Sequence, residues 1–80
     1  VPVSPAPALP SATSALALVN GEAGAFPKVA AHLLGRAALI YAGLYMSGRR
    51  QGLTRISLVA SAAIEAFVLG WAASQSKAAP

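Results

Sequence analysis

Two apolar runs of helical length, separated by only five residues, leave this 80-residue chain few ways to fold. Pro27 to Ser47 (PKVAAHLLGRAALIYAGLYMS) and Leu53 to Ser74 (LTRISLVASAAIEAFVLGWAAS) hold about 21 and 22 residues. As helices they would be roughly 31 and 33 Å long, the thickness of a hydrocarbon core. The intervening GRRQG, Gly48 to Gly52, has glycine at both ends and polar residues between, which suits a helix C-cap followed by a tight interhelical turn. A link that short makes the two helices antiparallel neighbours. The predicted class is therefore all-α: a two-helix transmembrane-type hairpin, preceded by a short helix and a Pro-rich arm.

Composition points the same way. Hydrophobic residues make up 56% of the chain and charged residues 10%, against roughly 25% charged in soluble domains. A soluble domain of this size would need a mostly polar surface around its core. With no cysteine, disulfides and thiolate metal sites are excluded, and helix packing must supply the stability.

Three segments follow from the punctuation. Residues 1–10 (VPVSPAPALP) contain four prolines, which remove backbone donors and fix φ, so an extended arm is expected. Residues 11–25 comprise a short helix over SATSALALV, with Ser11 as its candidate N-cap, and a Gly-rich break, NGEAGA. That helix is too brief to span a bilayer and suits an interfacial or packed position. Residues 26–80 form the hairpin, with helices at about 27–47 and 53–74. Pro27 is placed to open the first and Thr54 to cap the second, and the polar QSKAAP closes the chain. A chain starting at Val1 fits removal of either a signal peptide or an initiator methionine.

The formal charge of +4 does not read as nucleic-acid recognition. Arg49, Arg50 and Arg55 cluster at the turn without interleaved aromatics, and no helix-turn-helix, zinc or RNA-binding signature is present. The outer flanks carry only Lys28 and Lys77, so the positive-inside rule places the turn in the cytoplasm and both ends outside.

Inside the apolar helices stand one cation and one anion, Arg36 and Glu65. Each costs roughly 2.5 to 3.5 kcal/mol at the bilayer centre, so both are expected to face protein and find a partner. With residue 50 at the centre of the turn, position 36 lies opposite position 64, next to Glu65. A structural Arg36–Glu65 ion pair is expected, within one hairpin or between neighbours, with the forked guanidinium as donor. The alternative role for Glu65 is a proton or ion site. His32 lies one helical turn before Arg36, with no second histidine, thiol or carboxylate at ligand spacing. A local hydrogen bond is its plain reading, and ligation of a chlorophyll or haem the alternative. No metal set and no catalytic constellation is found, so an enzyme is not expected.

Small residues form stripes: Ala31, Gly35, Ala38 and Ala42 on the first helix, and Ala62, Ala66, Gly70 and Ala73 on the second. Stripes of this kind let backbones approach closely, so these two faces are expected to meet. Tyr41, Tyr45 and Trp71 would then form a partial aromatic belt toward headgroups or a neighbouring subunit.

The stretch YMSGRRQGLTRISLVASAAIEAFVLGWAAS, an apolar helix, a glycine-arginine turn and a small-residue-rich helix, resembles the conjugative (type IV secretion) pilins over about residues 27–74. That resemblance implies a subunit held in the membrane as a hairpin with a cytoplasmic turn, then extracted into an extracellular helical filament of identical subunits. It further implies bound lipid between subunits, with Arg49, Arg50 and Arg55 lining the lumen or pairing with lipid phosphates. Transported single-stranded DNA would pass without sequence-specific contact. The elements Arg50, Gln51 and Glu65 also resemble the proteolipid c subunit of rotary ATP synthases, which implies a proton-translocating ring. Here the family's repeated first-helix glycines are absent, no proline follows Arg-Gln, and Arg36 places a fixed cation where a proton carrier does not tolerate one. An accessory hairpin subunit of a membrane energy-converting complex would share the same architecture.

Overall fold

A computed structural model describes residues 11–78, all of whose regular structure is helical: α1 (Ala12–Val19), α2 (Ala25–Met46) and α3 (Leu53–Ala78). The arm expected over residues 1–10 lies outside the described residues.

The helix ends follow local chemistry. At the end of α2 the Gly48 N–H donates to the Tyr45 carbonyl (3.1 Å) and the Arg49 N–H to that of Leu44 (3.0 Å), the paired bonds of a Schellman motif. Gly48 sits at φ +85°, a region where a side chain would be strained. The same pattern ends α1, where Gly21 and Glu22 donate to Leu18 and Ala17. α2 starts at Ala25, behind Gly24, two residues before the expected Pro27. Pro27 is instead the third helical residue, still within the turn whose N–H groups have no intrahelical acceptor, so its missing donor costs nothing there. Thr54 does not cap α3. The Gly52 carbonyl accepts the first bond, from the Ile56 N–H at 2.9 Å. α3 also runs on to Ala78, because Gln75, Ser76 and Lys77 are polar but contain no helix breaker.

α2 and α3 fold back on each other. Leu33 and Arg36 meet Ser61 and Glu65, while Ala37 and Tyr41, farther along α2, share a shallow groove with Thr54, Ser57 and Leu58 from earlier in α3. α1 packs against both. Its Ala15 forms a small core with Val68 and Ala72 of α3, flanked by Leu16, Val19, Ile64, Leu69 and Trp71.

The faces that meet are not the expected ones. α3 buries Leu53, Ser57, Ser61, Glu65, Val68 and Ala72, one stripe at spacings of three and four. α2 turns Ala25, Val29 and Ala37 inward, with Leu33, Arg36, Ile40 and Leu44 half-buried. The predicted packing residues Ala31, Gly35, Ala38, Ala42, Ala62, Ala66 and Gly70 are exposed, and Ala73 is half-buried. The physical reason is rotational. Successive helical residues are turned by about 100°, so directing Arg36 and Glu65 at each other swings Gly35 and Ala66 away. Where lipid surrounds the bundle, leaving a charge outside it costs more than forgoing a close backbone approach. Trp71 likewise lies against the α1–α3 core and not on an outer belt, whereas Tyr41 and Tyr45 are exposed.

Candidate functional site

Arg36 and Glu65 stand within one residue of the midpoints of α2 and α3. The Arg36 Nη1 donates to Glu65 Oε2 at 2.9 Å, with the two side chains 15% and 3% exposed. The same nitrogen reaches the Ser61 carbonyl at 3.4 Å, and Nη2 donates to Ser11 Oγ at 2.9 Å. One guanidinium therefore ties together all three helices. Its forked donors make this possible, since a lysine ammonium could not offer two divergent planar edges.

Serines complete the cluster. Ser61 Oγ donates to the Leu33 carbonyl at 2.6 Å, a second polar bond between α2 and α3. Ser57 Oγ satisfies itself within α3 on the Leu53 and Thr54 carbonyls. Ser11, expected as an N-cap, makes no side-chain cap bond and instead accepts from Arg36. Two buried polar atoms, Glu65 Oε1 and Trp71 Nε1, find no hydrogen-bond partner among the described residues.

Sequence reasoning named Arg36 and Glu65 and passed over Ser57 and Ser61. The signal was there: Ser57, Ser61 and Glu65 recur at intervals of four, one polar line on an otherwise apolar helix. His32 is half-buried one turn before Arg36, and no group of three or more potential metal ligands occurs among the described residues.

The turn is the second polar region. Arg49 and Arg50 are exposed in it, and Arg55 is exposed in the first turn of α3. The Arg50 guanidinium lies over the Tyr45 ring, 4.2 Å from its centroid, a cation–π contact. No acidic residue occupies the first turn of α3, and three arginines lie in it or in the link just before it, near its positive dipole end. That arrangement is unfavourable for the helix itself and calls for a reason outside it.

Ala25–Met46 and Leu53–Ser76 are both long and apolar enough to cross a membrane. Only 11% and 28% of their most apolar windows are buried within the chain, whereas the core helix of a soluble protein would be mostly buried. Phe26, Leu39, Met46, Val59 and Phe67 are each more than 60% exposed. Comparison with protein-family models, with curated proteins and with solved structures yields no match.

Proposed function

We propose that this chain is a structural subunit that enters a membrane as a hairpin and assembles with copies of itself into a helical filament of the conjugative pilin kind. The observation that carries this reading is the position of the small residues. Ala31, Gly35, Ala38 and Ala42 on α2, and Ala62, Ala66 and Gly70 on α3, are exposed in the single chain. In an apolar solvent, close backbone approach is one source of helix association, and these residues leave it unused within the chain. The two stripes lie on different helices, so α2 of one copy would meet α3 of the next. A head-to-tail contact of that type propagates into a ring or a filament.

The arginine turn fits the same scheme. Three cations that do not help α3 would hold the turn on the cytoplasmic side during insertion and face lipid phosphate or a polar lumen in the assembly. Bound lipid would cover the remaining Leu, Val and Phe side chains. Transported single-stranded DNA would meet the turn arginines as a polyanion, without base recognition. The ring of proton-carrying subunits has less support, because the Arg36 guanidinium occupies one oxygen of the only intramembrane carboxylate in the two helices.

Electron microscopy of the native assembly tests the proposal. A thin helical filament with a lumen is the expected result. A closed ring, or one copy beside larger subunits, would refute it. Gly35→Leu and Ala66→Leu are expected to abolish the filament while leaving the helical content of the detergent-solubilised chain unchanged.

A further inference from the structure

We infer that α1 is a half-depth helix, lying inside the bilayer between the side opposite the arginine turn and the Arg36–Glu65 pair at mid-depth. The inference rests on the membrane-hairpin part of the proposed function and not on the filament. Arg36 and Glu65 mark the midpoints of α2 and α3, and Ser11, at the start of α1, is bonded to Arg36 at 2.9 Å. Four residues on, Ala15 packs on Val68 and Ala72, which lie beyond Glu65 toward the end of α3. α1 therefore runs from mid-bundle outward, alongside α3, and Asn20 to Gly24 return the chain to the start of α2. Eight residues of helix rise about 12 Å, against about 33 Å for α2, so α1 accompanies the hairpin for less than half its length.

The composition of α1 suits that depth. ATSALALV has no charged residue, and Ser11 and Ser14 are buried against the hairpin. A helix lying in the headgroup plane would carry a strongly polar outer face, and α1 presents only Thr13 there. Short of the surface, α1 covers the one place where charge would otherwise meet lipid. The Ser11 bond to Arg36 is the contact by which it does so, beside a Glu65 that is 3% exposed.

The chain has no cysteine, so single thiols report cleanly. Thr13→Cys, Glu22→Cys and Gln51→Cys all fall at exposed positions outside the polar cluster. Each full-length variant would be probed with a membrane-impermeant maleimide in sealed vesicles, then again in detergent. Glu22→Cys and Gln51→Cys are expected to react from opposite sides. Thr13→Cys should react from neither side at more than about a tenth of the Glu22→Cys rate until detergent is added. The pair Ala15→Cys with Ala72→Cys should form an intramolecular disulfide under mild oxidation.

Reaction of Glu22→Cys and Gln51→Cys from the same side would remove the spanning hairpin, and this inference with it. Opposite sides with Thr13→Cys as fast as Glu22→Cys would leave the hairpin standing and place α1 at the interface, overturning the inference alone. A protected Thr13→Cys without the disulfide would also overturn it, since α1 would then be buried elsewhere.

Discussion

Removing the Glu65 carboxylate should be the most damaging single polar substitution in the bundle. Glu65→Ala strips Arg36 of its 2.9 Å charge-assisted bond and leaves a guanidinium that is 15% exposed to be balanced by one hydroxyl and one carbonyl at 3.4 Å. Breaking a buried pair from one side typically costs 3–5 kcal/mol, because the surviving charge stays desolvated. The two remaining acceptors offset part of this, which places the expectation near the lower end, about 3 kcal/mol, or more than a hundredfold in the folding equilibrium. Arg36→Ala should cost a similar amount, since it strands an acceptor-only carboxylate that is 3% exposed and already has one oxygen unpartnered.

Equilibrium unfolding in mixed micelles can measure both. The single tryptophan, Trp71, lies against the α1–α3 core and reports its loss by fluorescence. The informative variant is the double one, Arg36→Ala with Glu65→Ala, which removes both charges together. It should cost no more than either single variant, which makes the coupling about 3 kcal/mol or more. If the double variant loses as much as the two singles summed, the pair contributes nothing as a pair and the account of the bundle's register fails.

Further substitutions follow from the same geometry and charge placement. Ser61→Ala deletes the 2.6 Å bond to the Leu33 carbonyl and should cost about 1 kcal/mol in the same unfolding assay, while Ser57→Ala, whose bonds stay within α3, should not loosen α2 from α3. Gly48→Ala puts a side chain at φ +85° and should cost about 1–2 kcal/mol, with unfolding at lower denaturant and helical content unchanged. Replacing Arg49, Arg50 and Arg55 together by Glu removes the charge bias that would orient the proposed membrane hairpin, so a Gln51→Cys thiol in that background should be labelled from both sides of the membrane.

The architecture was legible in the sequence where geometry reduces to counting. Two helical lengths and a five-residue link determine an antiparallel hairpin, and the same count brings Arg36 level with Glu65. What counting does not give is rotation about each helix axis. Arg36 and Gly35 are neighbours in sequence, so the ion pair and the small-residue contact could not both occupy the inner face. The conflict was visible in the sequence and is resolved by the larger penalty, that of a stranded charge. The start of α2 was misplaced where two signals competed: Pro27 is a good first helical residue, but Gly24, at positive φ, sits earlier and ends the preceding turn, whereas α3 starts at Leu53 as expected. The role of Ser11 was hidden because a hydroxyl before a helix is first read as a cap, and only the tertiary approach of Arg36 shows its other use.

Why the chain should divide its residues this way follows from the solvent. In water, exposed Phe67, Leu39 and Met46 would drive collapse around an apolar core, yet the clustered core among the described residues is built on small side chains, Ala15, Val68 and Ala72. In lipid, apolar burial gives no advantage to a helix pair, so the contacts that hold a single chain together must be polar or very close. The polar ones join α2 to α3 through Glu65 and Ser61, and α1 to α2 through Ser11. The close contacts available to small residues are then left for whatever surrounds the chain. On this division, inner polar substitutions should unfold the subunit, and enlarged outer residues such as Gly35→Leu should leave it folded and alone. A protein that lost both properties to the same substitution would not be built on this plan.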